Sequence, residues 1–193
     1  MVNIAKSNKR VIVSGGAGTG KTLIGKKIAL LKAYQGKRVA FLCYNRLIGE
    51  WMGDEIKKEK APPNLISGSA IKILMEMAGI KKSEISSDKT YWDSILPEQI
   101  EEKLTDPEFK ALAQFDYLVI DEAQDLLARP QWWNQICEFL KGGYKDGEYA
   151  LLGDFENQVL SGRSKMENVL NEIQQNTKPA NFKLTGNCRN YSV

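Results

Sequence analysis

One stretch of eight residues decides the fold of this 193-residue chain: Gly15-Gly16-Ala17-Gly18-Thr19-Gly20-Lys21-Thr22. It satisfies the pattern G-x-x-x-x-G-K-[ST], whose glycines let the backbone curl so that successive N–H groups point at phosphate oxygens. The run Arg10–Ser14 precedes it as a predicted strand, and Lys21–Gln35 follows as a predicted helix that ends at Gly36. The positive end of that helix attracts the same anion. The stretch therefore predicts the phosphate-binding loop (P-loop) of a nucleoside triphosphatase rather than a glycine-rich turn with an incidental lysine.

Two side chains of this loop and two acids elsewhere can carry the chemistry. We expect Lys21 to reach the β- and γ-phosphates of ATP and the Thr22 hydroxyl to bind Mg²⁺. Asp121 is the first polar residue after the apolar run Tyr117–Ile120, where a second carboxylate can hold Mg²⁺ through its water shell. Glu122 can accept a proton from the attacking water. An Asp-Glu pair favours hydrolysis, with nucleotide binding alone and an acid-rich helix start as the alternatives.

The rest of the chain alternates between short apolar runs and amphipathic stretches. Further strands are predicted at Arg38–Tyr44, Leu65–Ser67, Tyr117–Ile120, Tyr149–Leu152 and Phe182–Leu184, and further helices at Arg46–Lys58, Ala70–Ala78, Gln131–Lys141 and Lys165–Gln175. Asn45 can cap the second helix, and Lys81–Leu112 is polar, which predicts short helices over the surface. Trp132 and Trp133 are predicted to pack rather than to stack on bases. Strands joined by helical crossovers predict a doubly wound, mainly parallel α/β sheet with helices on both faces and ligands at the carboxyl ends of the strands.

Composition excludes several classes of protein. No histidine is present and the three cysteines are widely spaced, which excludes a histidine-assisted nucleophile and argues against structural zinc. The chain has no apolar run of membrane-spanning length and no signal-peptide core at its start, so we expect a cytoplasmic protein that contacts no membrane. Residues 1–60 hold 13 Lys and Arg against 4 Asp and Glu, whereas the whole chain carries only +3. A basic first third suits a polyanionic partner such as a nucleotide or a nucleic acid.

The pentad Asp121-Glu122-Ala123-Gln124-Asp125 follows the apolar run that ends at Ile120. It resembles motif II of the UvrD/Rep-like superfamily 1 DNA helicases. Val39–Arg46 resembles motif Ia of that family, Leu151–Gln158 resembles motif III, and Leu184–Asn190 resembles motif IV. The letters GGAGTGKT, CYNR and NCRN are also similar to the helicase-like part of proteins with a nuclease-related (NERD) domain. The resemblance spans residues 11–191 and implies the N-terminal RecA-like (1A) domain of an ATP-driven motor.

The resemblance also implies a role for each matching residue. Gln124 and Gln158 match glutamines that sense the γ-phosphate and couple it to the DNA site. Arg189 matches an arginine that contacts the γ-phosphate and stabilises charge developing in the transition state. The residues that match contacts to single-stranded DNA are Tyr44, Asn45, Ser67 and Ser69. For Tyr44, packing in the core is an equal alternative to stacking on a base.

The chain departs from that family at several positions, two of which concern the adenine base. Cys188 stands where the family has a tyrosine that stacks on adenine, so recognition of the base must differ. Residues 1–10 lack the glutamine-bearing segment that reads adenine in the family. Because the sequence ends shortly after Arg189, we expect residues 1–193 to form a single RecA-like domain whose second RecA-like domain is missing. Such a fragment is expected to bind Mg-ATP weakly and not to translocate.

Two functions of different classes follow from these residues. The first is that of the first motor domain of an ATP-dependent DNA helicase or single-strand translocase. The alternative is a regulatory P-loop ATPase that controls an attached effector, such as a nuclease, without unwinding. Stimulation of ATP hydrolysis by single strands distinguishes the two.

Overall fold

Six short apolar segments form the strands of one parallel sheet. The computed structural model describes residues 4–81, 86–88, 90–157 and 162–186. The strands in these ranges are β1 (Arg10–Gly15), β2 (Val39–Cys43), β3 (Leu65–Ser69), β4 (Tyr117–Asp121), β5 (Tyr149–Gly153) and β6 (Ala180–Leu184). The helices are α1 (Ile4–Ser7), α2 (Lys21–Tyr34), α3 (Arg46–Lys58), α4 (Ala70–Met77), α5 (Leu96–Leu104), α6 (Pro107–Ala113), α7 (Ala123–Leu127), α8 (Pro130–Glu138), α9 (Gly143–Asp146) and α10 (Arg163–Thr177).

The sheet has a separate hydrophobic core on each face. Alternate residues of a strand point to opposite faces, so Val13 and Phe41 pack under α2 and α3, whereas Ile12 and Leu151 pack under α4, α5, α7, α8 and α10. Because both faces are covered, every residue of β2, β4 and β5 is buried. The predicted fold, a RecA-like doubly wound α/β sheet with helices on both faces, is confirmed.

The polar segment Lys81–Leu112 contains short helices in its described part, as predicted. A π-helical turn at Tyr91–Ile95 leads into α5 and α6. Tyr91, Leu96 and Ile100 are buried in the core. The predicted short helices are therefore present, and they lie on the surface with most of their polar residues exposed, while a few apolar residues about one helical turn apart anchor the segment to the core.

Helix α8 ends earlier than the predicted range Gln131–Lys141. Leu140 forms a β-bridge with Phe115, so the chain has already left the helix at that point. Trp132 and Trp133 are buried, which confirms that they pack in the core. The short helices α7 and α9 were not predicted, since four or five residues are too few to show a helical period.

The parallel strands place their carboxyl ends along one edge of the sheet, in the order β3-β2-β4-β5-β1-β6. Strand β5 therefore lies between β1, which leads into the P-loop, and β4, which leads into the acidic pair. Helix α3 lies directly on β3 because Gly49 faces it: a Cβ atom at that position would lie 2.4 Å from the backbone nitrogen of Ser69. This edge is where the candidate site is assembled.

Two further features bear on the class of protein. Cys43 and Cys137 are buried free thiols, as predicted, and Cys188 lies outside the described residues. Burial raises the pKa of Cys43 to about 12, which keeps its thiol protonated and unreactive. In the part of the chain that the structure describes, no helix combines the length and the apolar character that a membrane span requires.

Candidate nucleotide-binding and hydrolysis site

The loop between β1 and α2 has the backbone shape that its glycines predict. Gly18 and Gly20 have φ values of 79° and 85°, in the left-handed region that favours glycine. A Cβ atom at Gly15 would lie 2.8 Å from the Thr19 hydroxyl oxygen and 2.9 Å from Cβ of Leu184 in β6. The Thr19 hydroxyl in turn donates to the carbonyl oxygen of Gly16 at 2.8 Å. The loop is thus closed on itself at the amino end of α2.

Lys21 is held against this loop. Its side chain is buried, with 6% exposed, and its Nζ donates to the carbonyl oxygens of Gly15 at 2.8 Å and Gly16 at 3.0 Å. A buried ammonium group is stable only when such acceptors surround it. Its charge therefore lies at the mouth of the loop, where the sequence predicts the phosphates.

Thr22 and Asp121 meet although they lie 99 positions apart in the sequence. The Thr22 hydroxyl donates to Oδ2 of Asp121 at 2.6 Å. Asp121 is fully buried, and its Oδ1 has no hydrogen-bond partner among the described residues. Burial raises the pKa of Asp121 to about 6; the hydrogen bond from Thr22 opposes this rise, and the charge of Glu122 adds to it.

The Thr22 hydroxyl oxygen and the Asp121 carboxylate suit a divalent cation. Mg²⁺ prefers oxygen ligands and is usually bound through one or two carboxylates together with phosphates and water. The unpartnered Oδ1 of Asp121 is a buried acceptor of this kind, and a buried acceptor without a partner is costly unless a ligand supplies one. The residues present therefore fit Mg²⁺ at the position that the sequence predicts.

Glu122 turns the chain sharply between β4 and α7. Its backbone lies in the left-handed region, with φ 49° and ψ 46°, which costs a residue with a side chain about 1 kcal/mol. Strain of this kind persists where the surroundings hold it, often at functional sites. The turn places Glu122 in the wall of the same cavity as the P-loop.

Gln124 lies buried between the ends of β4 and β5. Its Nε2 donates to Oε2 of Glu122 at 2.8 Å, and its Oε1 accepts from the backbone N–H of Asp154 at 3.2 Å. Only 3% of the residue is exposed. The structure thus brings Gln124 to Glu122. Both polar atoms of its amide already have hydrogen-bond partners, so neither is presented to the P-loop cavity as an unpaired group.

A cavity of about 620 Å³ extends from the P-loop to the groove between α2 and α3. Its lining consists of P-loop residues, Glu122, and side chains of β2, α2 and α3: Leu23, Lys26, Phe41, Ile48, Trp51, Met52 and Glu55. Sequence analysis did not single out Trp51, which is 54% exposed. Leu47 lies one helical turn before it and is 69% exposed, so two large apolar residues at a spacing of four on a polar helix face were the available signal.

The residues predicted to contact single-stranded DNA have different environments. Tyr44 is half-buried against the core, and the Arg129 guanidinium lies 4.2 Å from the centre of its ring. Asn45 is exposed and caps α3, as predicted, by accepting from the backbone N–H groups of Leu47 at 3.0 Å and Ile48 at 3.2 Å. For both residues, contact with DNA stays a prediction.

The two serines lie deeper than a contact with a DNA backbone requires. Ser69 is 4% exposed, and the hydroxyl oxygen of Ser67 is buried without a hydrogen-bond partner among the described residues. Both lie on β3 beneath Gly49 and Gly53 of α3. A contact from either serine would need α3 to move.

Gln158 and Arg189, predicted to act on the γ-phosphate, lie outside the described residues. Their roles stay predictions. The described part of the site therefore consists of the P-loop, the Thr22–Asp121 pair, and Glu122 with Gln124.

A family model described as Schlafen group 3, DNA/RNA helicase domain, matches residues 8–182 of the chain. Among solved structures, AMPPCP-bound DnaA from Aquifex aeolicus is 13% identical, with a TM-score of 0.47; the match covers 97% of this chain and 44% of that one. A structure of two coordinating Pif1 helicases at forked double-stranded DNA is 17% identical, also with a TM-score of 0.47, and the match covers 96% and 42%. The chain spans less than half the length of either solved chain. No curated protein matches it.

Proposed function

The chain belongs to the Schlafen group 3 DNA/RNA helicase domain family, and from this we propose that it is the ATP-binding and ATP-hydrolysing motor domain of a DNA helicase or single-strand translocase. One observation carries the proposal. The Thr22 hydroxyl and the buried Asp121 carboxylate are joined at 2.6 Å beside a P-loop lysine, and Glu122 faces the same cavity. A loop that only binds nucleotide has no need of this second acid.

Each group has a chemical task in this proposal. The N–H groups of the P-loop and the Lys21 ammonium bind the phosphates of ATP. Thr22 and Asp121 hold Mg²⁺, which neutralises charge on the β- and γ-phosphates when it is bound. Glu122 accepts the proton of the attacking water, since its carboxylate lies in the cavity wall next to the loop.

We further propose that a second RecA-like domain completes the site, as the resemblance to UvrD/Rep-like superfamily 1 helicases implies. Gln158 and Arg189, which are not among the described residues, would then contact the γ-phosphate. Single-stranded DNA would bind along the edge formed by the strand ends, where Asn45 is exposed. The excess of basic residues in the first 60 positions supports a polyanionic partner.

The test is Mg-ATP binding and single-turnover ATP hydrolysis, with and without a single-stranded oligonucleotide. Lys21→Ala should abolish binding, whereas Lys27→Ala, which changes an exposed lysine of the same helix, should leave it unchanged. Glu122→Gln should retain binding and lower the hydrolysis rate by about 100-fold or more. Removal of Mg²⁺ with EDTA should stop hydrolysis.

The outcomes separate the candidate functions. Equal hydrolysis by the wild-type protein and Glu122→Gln would refute the role of Glu122. Lys21-dependent binding without any hydrolysis in the wild type would indicate a nucleotide-binding module. Hydrolysis that single strands do not stimulate would favour the regulatory ATPase, and stimulation would favour the motor.

A further inference from the structure

We propose that Gln124 is a positioning residue that holds the Glu122 carboxylate and couples it to the turn that follows β5. The inference rests on the proposed role of Glu122 in hydrolysis. It differs from the role that the resemblance implies, in which Gln124 senses the γ-phosphate and couples it to the DNA site. Instead, the geometry points to an effect of Gln124 through its neighbour.

Both polar atoms of the Gln124 amide already have partners. Its Nε2 lies 2.8 Å from Oε2 of Glu122, and its Oε1 lies 3.2 Å from the backbone nitrogen of Asp154. With only 3% of the residue exposed, water cannot replace either bond. A buried amide in this arrangement is fixed at both ends, because loss of either partner leaves an unsatisfied polar group.

The bond to Glu122 restricts a side chain that otherwise has three rotatable bonds. Glu122 lines the cavity, and its backbone is held in a left-handed turn. The turn by itself does not fix the position of the Glu122 carboxylate. The side-chain N–H of Gln124 donates to Oε2 of Glu122. This leaves Oε1 of Glu122 to accept a proton. A general base must lie within hydrogen-bond reach of the water it activates, and a displacement of about 1 Å can lower the rate about 100-fold.

The bond to Asp154 ties the same amide to the turn after β5. Oδ1 of Asp154 accepts from the backbone N–H of Asn157 at 3.0 Å and from its side-chain amide at 3.2 Å. Asp154 therefore contacts Gln124 through its backbone N–H and Asn157 through its side-chain carboxylate, so that Gln124 joins Glu122 to the turn after β5. Movement of the Asp154 backbone relative to β4 would strain the bond to Gln124 and, through the amide, the position of the Glu122 carboxylate.

Gly153 shows how little room this arrangement leaves. A Cβ atom at Gly153 would lie 2.5 Å from Oε1 of Gln124 and 3.0 Å from the ring of Phe155. The amide can occupy its place only because residue 153 has no side chain. Gly153→Ala therefore displaces Gln124 from the β5 side without changing any polar group of the relay, the hydrogen-bonded residues Glu122, Gln124, Asp154 and Asn157.

The first experiment compares three variants by single-turnover ATP hydrolysis and Mg-ATP affinity. Gln124→Met removes both bonds at similar volume, and Gly153→Ala shifts the amide. Gln135→Met is the matched control, since Gln135 is 6% exposed and its Nε2 donates to the Pro97 carbonyl oxygen at 2.6 Å, away from the site. We expect the first two to lower the hydrolysis rate at least about tenfold with affinity within about twofold, and the control to change neither.

A double mutant separates positioning from packing. If Gln124 acts through Glu122, adding Gln124→Met to Glu122→Gln should lower the residual rate by less than about twofold, because the base is already lost. A full tenfold effect in the Glu122→Gln background would overturn the inference. So would a Gln124→Met variant that hydrolyses ATP at the wild-type rate while Glu122→Gln does not. Equal rates for the wild type and Lys21→Ala would instead refute the proposed function.

A second experiment needs no turnover. In the free protein, amide hydrogen exchange at Asp154 should become at least about tenfold faster in Gln124→Met, since the acceptor of that N–H is gone. In Glu122→Ala, the side-chain amide resonances of Gln124 should shift, whereas in Gln135→Met they should not. Unchanged exchange and unchanged resonances would show that the relay does not exist, and the inference would fail even if hydrolysis were normal.

Discussion

Replacement of the buried acid Asp121 by asparagine should remove a large part of the pH dependence of stability. The folded protein raises the pKa of Asp121 from 3.8 to about 6, chiefly because burial disfavours the charged form. The folded state therefore holds this proton more tightly than the unfolded state does. The resulting stabilisation is fully present below about pH 4 and is lost as the pH rises through about 6.

The size of the effect follows from the pKa difference. At about 1.4 kcal/mol per pH unit, the rise in pKa corresponds to about 3 kcal/mol. Of this, about 2 kcal/mol falls between pH 4.5 and 7.5, where the protein can be compared with Asp121→Asn. In that window the free energy of unfolding of the metal-free wild type should fall by about 2 kcal/mol more than that of the variant.

The assay is urea denaturation at several pH values in the presence of EDTA. Asp116→Asn is the control: burial raises the pKa of Asp116, but hydrogen bonds from Lys141 and the Arg38 backbone N–H outweigh it and lower the pKa below 3.8. Asp116 thus titrates below the window, and its replacement should shift stability equally at every pH tested. Parallel pH profiles for the wild type and Asp121→Asn would refute the assignment of a raised pKa to Asp121.

Three further predictions concern the frame of the site and the metal. Gly49→Ala should lower the free energy of unfolding by about 1–3 kcal/mol in urea denaturation, because the added Cβ would lie 2.4 Å from the backbone nitrogen of Ser69 in β3. The control Gly16→Ala should not show this loss, since a Cβ at Gly16 meets open space. Asn45→Ala should cost about 1 kcal/mol by removing the cap of α3, measured in the same way. Mg²⁺ affinity should be about tenfold weaker at pH 5 than at pH 7.5 by calorimetry, since only ionised Asp121 binds metal; pH-independent affinity would contradict this.

Local sequence determined the elements that a short-range pattern encodes. The glycine spacing before Lys21 specifies a phosphate-binding turn between a strand and a helix, and Asn45 before an amphipathic run specifies a helix cap. Apolar strands without alternation specify a sheet buried on both faces. These features depend on neighbours along the chain, so they could be predicted without the fold.

Tertiary structure alone decided which distant residues meet and how deeply they are buried. The Thr22–Asp121 contact joins residues 99 positions apart, and the Gln124–Asp154 bond exists because β5 lies between β1 and β4. Strand order depends on packing over the whole chain, which no local pattern encodes. The burial of Ser69 beneath α3 and the exposure of Trp51 beside the P-loop have the same cause. Sequence thus specified the chemical groups of the site, and the fold specified their partners.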